Sequence, residues 1–337
     1  MTFIVQKPGM LSTIQDLGRA GWQRYGVSVG GAMDEGALRL ANALVGNDAG
    51  AAAIEMTVVG ATLQTEKDII AAVCGSDMNA TVDGRPLPMN RPVLISADSI
   101  VTFGPASEGC RTVVAAAGGI ELPELLGSRS AALRSGFPGL LGRPLRPGDK
   151  LETKPVSPDR QRAIELSWVC TGRMRYPSWF VRGDWSGTGA SRDARSEHSI
   201  RVVPGPEWDR FRPDSLGSFL GATFNVTAQS DRMGLRLSGV RLQTAEPVSM
   251  LSDAVTMGTV QVPADGLPIV LMADRQTTGG YPRIGQVARV DLPKLAQARP
   301  GDSLRFIAVT AEEAESLLLE RERQFERMLA GLNRKRL

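Results

Sequence analysis

The sequence predicts a mainly β protein of two domains, with a few short helices and a C-terminal helix. Short apolar and β-branched runs recur along the 337 residues, and Gly, Asp and Pro separate them. This pattern favours closed or sandwiched β-structure over βαβ units. The chain length suggests two domains. The strand signal weakens over residues 153–198, so the boundary is placed near 195, giving domains 1–195 and 196–337.

In the first half, a polar loop and one helix interrupt the predicted strands. The loop is the polar, Gly-containing cluster Ser12–Arg19. Asp34 is suited to cap a helix over residues 35–45, because an apolar stripe follows it. Asp83-Gly84 is a hairpin signal. The predicted strands are Phe3–Lys7, Ala61–Gln64, Ile69–Val73, Ala80–Val82, Val93–Ile95, Ile100–Phe103 and Thr112–Ala117.

The second half repeats the pattern of short strands and ends in a helix. Asp265-Gly266 is a second hairpin signal. Thr310–Glu313 is a capping-box pattern, and apolar residues at helical spacing follow it, which predicts the terminal helix. The predicted strands are Ile200–Val203, Leu235–Leu237, Val260–Val262, Ile269–Met272, Val287–Val290 and Leu304–Ile307.

Composition excludes several classes of function. The 39 basic residues are nearly balanced by 36 acidic ones, and no basic stripe rich in aromatics is present, so we expect no nucleic-acid partner. The sequence shows no signal peptide and no apolar run near ~18 residues. We therefore expect a cytoplasmic protein without a membrane role. Three distant cysteines give no disulfide framework. The only histidine, His198, falls in a polar, linker-like segment, so we expect no metal site.

The stretch Pro268–Ile284, reading PIVLMADRQTTGGYPRI, is the candidate functional site. A buried strand delivers the chain to a dense set of polar groups and a Gly pair, whose φ > 0 conformations would let backbone N–H groups approach a ligand. A plain Thr-Gly-Gly turn is the alternative. The candidate catalytic residues are Asp274, Gln276, Thr277, Thr278 and Tyr281. The candidate substrate-binding residues are Gly279, Gly280, Arg283, Arg232, Ser230 and Gln261.

These side chains suit an amide substrate, which offers one carbonyl acceptor and one N–H donor. Gln276, Thr277 and Thr278 would stabilise negative charge on a carbonyl oxygen. Asp274 or the Tyr281 hydroxyl would transfer the proton of the amide N–H. Arg232 or Arg283 would hold a carboxylate or phosphate through paired hydrogen bonds. The sequence has neither a GxxxxGK[ST] phosphate loop nor a Met-Lys-Met biotin-carrier segment, so we expect no covalently bound cofactor and a need for partner chains.

The DRQTTGGYP segment, Asp274–Pro282, resembles the signature of the family formed by allophanate hydrolase subunit 2 and the C-type subunit of 5-oxoprolinase. Further matches follow in the expected order. They are Ser12–Arg19, Gly30–Asp34, Ala41–Asn47, Ala117–Ile120, Pro204–Glu207, Ser230–Gly234 and Gly258–Pro263. The resemblance implies two cyclophilin-like β-barrel domains. It also implies work beside a homologous-fold subunit, of the allophanate hydrolase subunit 1 type or its 5-oxoprolinase equivalent, the B-type subunit.

Three functions stay open within this resemblance. The first is the C-type subunit of an ATP-dependent 5-oxoprolinase, with a LamB/YcsF-type third subunit and ATP bound on a partner. The second is half of a biotin-dependent carboxyltransferase for urea or another amide, using carboxybiotin carried by another chain. The third is a non-catalytic antagonist that binds a kinase-inhibitor protein. The first two act on amides, so these site residues do not separate them.

Overall fold

The computed structural model describes residues 2–155, 168–182, 197–246 and 250–335. Over these residues the protein is mainly β with four α-helices, which confirms the predicted fold class. The chain forms two compact units. One comprises Met1–Arg19, Gly30–Thr188 and Glu326–Leu337, and the other comprises Ala20–Val29 and Gly189–Phe325. The boundary predicted near 195 lies outside the described residues.

In the first unit, thirteen described strands form two sheets. Their orders are β11-β1-β4-β9-β6-β7 and β12-β13-β8-β5-β10-β3-β2. The strands are β1 (Thr2–Lys7), β2 (Leu11–Gln15), β3 (Ala53–Thr57), β4 (Thr62–Thr65), β5 (Ile69–Gly75), β6 (Thr81–Val82), β7 (Arg85–Pro86), β8 (Pro92–Ile95), β9 (Ile100–Thr102), β10 (Arg111–Ala116), β11 (Lys150–Glu152), β12 (Val169–Thr171) and β13 (Met174–Tyr176). Val5, Ile14, Ile54, Leu63 and Ile69 are fully buried in the core of this unit.

In the second unit, seven strands close into a barrel of order β14-β21-β18-β19-β16-β15-β22, and β17 pairs with β20 outside it. The strands are β14 (Glu197–Pro204), β15 (Thr223–Val226), β16 (Gly234–Ser238), β17 (Asp253–Ala254), β18 (Thr259–Gln261), β19 (Ile269–Leu271), β20 (Thr278–Gly279), β21 (Arg283–Val287) and β22 (Ser303–Ala308). Phe219, Phe224 and Phe306 are fully buried there. The rings of Phe219 and Phe306 stack with centroids 4.5 Å apart.

The helices are α1 (Glu35–Val45), α2 (Pro213–Gly221), α3 (Leu292–Gln297) and α4 (Ala311–Lys335). Short 3-10 helices span Gln23–Tyr25, Gly139–Leu141, Trp208–Arg210 and Arg289–Asp291. The predicted cap of α1 is confirmed, because the Asp34 carboxylate accepts a hydrogen bond of 2.9 Å from the Ala37 N–H. The capping box of α4 is also confirmed. Thr310 Oγ1 accepts from the Glu313 N–H, and the Glu313 carboxylate accepts from the Thr310 N–H.

The predictions for β2 and for the end of β21 were wrong. Ser12–Gln15 is not a loop but most of β2, which pairs with β3 along its whole length. Several of its polar side chains are buried with hydrogen-bond partners, such as the Pro8 carbonyl for Ser12 Oγ and Thr13 Oγ1 for Gln15 Nε2. The strand predicted at Val287–Val290 instead ends at Val287 and gives way to a 3-10 turn. Asp291 in that turn is fully buried and bonds the Arg201 side chain.

Candidate functional site

The DRQTTGGYP segment crosses over the barrel strand β18. Strands β19 and β21 both pair with β18, one on each side of it. The chain leaves β19 beside Gly258, which precedes β18, and it re-enters the barrel at β21 beside Gln261, the last residue of β18. Between these points, Thr278 and Gly279 form β20 and pair with β17. The segment is therefore fixed at both ends by the barrel and in the middle by a second short strand.

Gln261 lies directly beneath Gly279. A Cβ atom added to Gly279 would lie 2.4 Å from Gln261 Nε2, which is closer than real side chains approach. Gln261 is buried, and its amide donates to the Tyr281 carbonyl at 3.4 Å. Neither Gly279 nor Gly280 has a positive φ, so the expected φ > 0 conformations are absent at this described pair. A larger residue at 279 would therefore have to displace the buried amide end of the Gln261 side chain.

Arg232 and Asp274 form a closed ion pair at the start of the segment. Arg232 Nε donates to Asp274 Oδ2 at 2.8 Å, and Nη2 donates to Oδ1 at 3.0 Å. Their side chains are only 6% and 14% exposed. The Asp274 N–H also bonds the Arg232 carbonyl. Both carboxylate oxygens thus accept hydrogen bonds from one guanidinium, and the pair holds the segment against the stretch before β16.

Arg283, at the other end of the segment, is held by two carboxylates. Its Nε and Nη2 donate to Glu207 at 2.8 Å each, and Nη1 lies 2.9 Å from Asp253 Oδ2. The Arg283 backbone N–H also donates to Glu207. The bonds to Arg283 lower the pKa of Glu207, and the bond to Glu207 raises the pKa of Arg283. The pKa of Asp253 is lowered first by the Ala254 N–H and then by Arg283. Most donors of Arg283 are taken, so Arg283 anchors β17 and the Glu207 turn to the start of β21.

Gln276, Thr277 and Thr278 differ from these paired residues. Gln276 and Thr277 are half-buried and Thr278 is exposed. Within the described part of the chain, none of the three side chains has a hydrogen-bond partner. The backbone is nevertheless fixed, because the Thr277 carbonyl accepts from the Val255 N–H. A rigid backbone thus presents an amide and two hydroxyls whose hydrogen-bonding capacity is unused, which suits a polar ligand.

A cavity of about 650 Å³ lies beside the end of the segment. Gly280 and Tyr281 are the members of the predicted site that line it, and Tyr281 is half-exposed. The remaining walls include Phe211, Leu242 and Val262. Glu246 is the one charged side chain among the described lining residues. Gln276, Thr277 and Thr278 are not among them, so their place in a pocket shared with Arg232 and Gln261 stays a prediction.

Ser230 serves a turn in this structure. Its hydroxyl accepts a hydrogen bond of 3.0 Å from the Arg236 N–H and donates to the Arg236 carbonyl at 3.3 Å. Reasoning from the sequence missed Glu207 and Asp253, the partners of Arg283. It also gave no role to Arg275. Glu207 belongs to the Pro204–Glu207 motif, and that motif was the signal available for it.

His198 lies in β14 and not in a linker, so that interpretation was wrong. Its Nε2 is 3.8 Å from Asp302, and its side chain is 15% exposed. Within the described ranges, His, Cys, Asp and Glu side chains nowhere gather in a group of three or more that would hold a metal ion. None of the helices in the described part has the length and apolar character that a bilayer span needs.

Comparison with known proteins identifies relatives over nearly the whole chain. This chain is 36% identical to the C-type subunit of 5-oxoprolinase from Escherichia coli K12 over 322 residues, which cover 96% of each protein. The corresponding Haemophilus influenzae protein is 37% identical over 91% of each chain. Urea amidolyase of Saccharomyces cerevisiae is 30% identical, and the match covers 92% of this chain but 17% of that protein.

Solved structures also match this chain over most of its length. The urea amidolyase of K. lactis superposes with a TM-score of 0.84 and 28% identity, over 96% of this chain and 19% of that one. The protein TTHA0988 superposes with a TM-score of 0.74 and 31% identity, and this chain spans about half of it, 55%. Residues 25–308 match the family described as carboxyltransferase domain, subdomain A and B. The chain therefore belongs to the carboxyltransferase domain family.

Proposed function

We propose that this protein is the C-type subunit of an ATP-dependent 5-oxoprolinase, which opens the lactam of 5-oxoproline to glutamate. The observation that carries the proposal is the 36% identity to the Escherichia coli 5-oxoprolinase protein, because the match covers 96% of both chains and leaves no large region unmatched. The site is compatible with this reaction, since lactam hydrolysis needs donors for a carbonyl oxygen and a fixed substrate. A cytoplasmic location is part of the proposal.

In this proposal the unpaired polar groups of the DRQTTGGYP segment bind the lactam amide. The Gln276 amide and the Thr277 and Thr278 hydroxyls donate to the lactam oxygen, where negative charge develops as a nucleophile adds to the carbonyl carbon, before the C–N bond breaks and the ring opens. The Gln276 carbonyl oxygen accepts from the lactam N–H. Asp274 and Arg283 then act as positioning residues, because their charged groups already have partners. Tyr281, beside the cavity, is the candidate for proton transfer.

ATP belongs on a partner subunit in this scheme. A triphosphate needs several cationic or N–H donors. The described lining of the cavity offers no basic side chain and one acidic residue, Glu246, so these residues do not fit ATP. We propose that the nucleotide is bound by the homologous-fold subunit or by the LamB/YcsF-type subunit. This chain then supplies the amide-binding segment, and the chain alone is inactive.

A biotin-dependent carboxyltransferase is the second candidate function. The observation that favours it is the likeness to the urea amidolyase of K. lactis, whose TM-score is 0.84 over 96% of this chain. Carboxybiotin would be delivered by another chain. The same Gln276, Thr277 and Thr278 groups would then hold the amide that accepts the carboxyl group. Identity is lower here than to the two 5-oxoprolinase proteins, which ranks this function second.

The two candidates separate in one experiment. This chain is co-expressed and purified with the homologous-fold and LamB/YcsF-type subunits, and in parallel with the homologous-fold subunit and a biotinylated biotin carboxylase. ATP hydrolysis is measured in each preparation with 5-oxoproline or with urea and bicarbonate. We expect hydrolysis that depends on 5-oxoproline, yields glutamate, and disappears when this chain is left out. ATP hydrolysis at a rate that does not change when 5-oxoproline is added would contradict the proposal. Carboxylation of urea or another amide, requiring a biotinylated partner, would support the second candidate instead.

A further inference from the structure

The DRQTTGGYP segment and its immediate surroundings hold three buried or nearly buried arginines, and two of them are neutralised. Arg232 is paired with Asp274, and Arg283 is paired with Glu207 and Asp253. The third, Arg275, is 9% exposed. Within the described residues no carboxylate lies in ion-pair contact with its guanidinium. Arg275 is thus the one arginine of this set without a direct ion pair in the described residues, although Asp274 partly compensates its charge through space.

The hydrogen bonds of the Arg275 side chain are equally incomplete. Its Nη1 donates to the Met272 carbonyl at 3.3 Å, and its buried Nε has no partner among the described residues. A guanidinium carries five N–H donors. Burial lowers the pKa of Arg275 from its ordinary value, as expected for a cation removed from water. Its carbonyl is also fixed, because Ser28 Oγ donates to it at 2.7 Å.

A buried guanidinium without a direct ion pair, and with an unpartnered Nε, costs free energy. Such a group is expected where an anion from outside the chain supplies the missing contacts. We propose that Arg275 binds the carboxylate of the substrate, and that this contact selects an acidic lactam over a neutral amide. The inference rests on the proposed function. 5-Oxoproline carries a carboxylate beside its lactam, and Arg275 directly precedes Gln276, which is assigned to the lactam. Two parallel N–H···O bonds suit a carboxylate. Urea has no such group.

The test uses the assembled complex with Arg275→Met and Arg275→Lys, and two compounds. The first is 5-oxoproline as substrate. The second is 2-pyrrolidinone, the same lactam without the carboxylate, as a competitive inhibitor. We expect Arg275→Met to raise the KM for 5-oxoproline by about 10- to 100-fold, the range for a hydrogen bond between charged groups. The Ki of 2-pyrrolidinone stays at its wild-type value. Arg275→Lys recovers part of the affinity.

Thermal stability supplies an independent readout. Replacing a buried cation that lacks a direct ion pair by Met, which is of similar length and apolar, should leave the Tm unchanged or raise it. The control is Arg236→Gln, because Arg236 is exposed on β16 and is not part of the site; its kinetics should match the wild type. A Tm that falls in Arg275→Met, with KM and Ki raised equally, would mean that Arg275 is structural and would overturn the inference.

Failure of the inference is distinct from failure of the proposed function. If the wild-type complex hydrolyses 5-oxoproline and Arg275→Met keeps the wild-type KM, the function stands and the assignment of Arg275 is wrong. If the wild-type complex does not act on 5-oxoproline at all, the proposed function and the assigned ligand fall together.

Discussion

Replacing Arg283 by Met should destabilise the second unit more than replacing an exposed arginine by Met. The Arg283 and Glu207 side chains are 14% and 9% exposed and share two hydrogen bonds of 2.8 Å. Removing one partner of a buried ion pair costs about 3–5 kcal/mol, because the other charge stays buried without compensation. Asp253 is 60% exposed, so losing its contact with Arg283 adds little to this cost. We expect the free energy of unfolding to fall by about 3–5 kcal/mol at pH 7.

The pH dependence of this loss follows from Glu207. Arg283 holds the pKa of the Glu207 carboxyl below its ordinary value in the folded protein. A depressed folded pKa contributes stability above the unfolded pKa, about 4.3 for Glu, and that contribution is lost as the pH falls through the folded value. The difference between wild type and Arg283→Met should therefore be largest near neutral pH and shrink below about pH 4.

Urea unfolding of the wild type and of Arg283→Met at pH 7 and at acidic pH measures this difference directly. The matched control is Arg212→Met, because the Arg212–Asp214 pair is 51% and 70% exposed. An exposed pair contributes about 0–1 kcal/mol. The account of Arg283 as a buried anchor would be refuted if both variants lost the same small amount, or if the loss in Arg283→Met did not change with pH.

Three further predictions concern the site and the fold. Gly279→Ala should lose about 1–3 kcal/mol because its Cβ meets Gln261, and adding Gln261→Ala should recover part of that loss in a double-mutant cycle of urea unfolding. Simple additivity of the two changes would refute the contact. Asp34→Ala should cost about 1 kcal/mol through the lost cap of α1, and an unchanged Tm would argue against the cap. The isolated chain should show no 5-oxoproline-dependent ATP hydrolysis, and robust turnover by it alone would contradict the need for partners.

The elements that the sequence predicts well are those with strong local signals. α1 has a capping Asp34, an apolar stripe and Gly46 in the left-handed conformation at its end. β19 is a β-branched and apolar run, and in β22 the buried Leu304 and Phe306 alternate with Ser303 and Arg305. β2 was missed because its polar residues suggest solvent, whereas Gln15 is fully buried and bonds the Ala131 carbonyl. Such a partner, more than a hundred residues away, leaves no local trace in the sequence.

The same limit explains the candidate site. Reasoning from the sequence identified the DRQTTGGYP segment and several of the residues that surround it, including Arg232 and Gln261. It did not reveal that Arg283 would be paired with Glu207, which lies 76 residues earlier. It also attributed Gly279 to backbone freedom, whereas in the structure the Gln261 side chain occupies the space beside Gly279. These roles depend on ion pairs and packing between residues far apart in the chain, and a local sequence pattern does not reveal such contacts.

The central claim is that Gln276 binds the lactam from a rigid backbone, and one variant tests it most directly. Gln276→Ala is measured in the assembled complex for Tm, partner binding and 5-oxoproline turnover, with Gln324→Ala on the exposed face of α4 as control. Because Gln276 has no partner in the described part of the chain, we predict unchanged Tm and assembly and a loss of turnover of about 100-fold for one missing donor. Full turnover in Gln276→Ala, or a lowered Tm that accounts for the lost activity, would contradict the account.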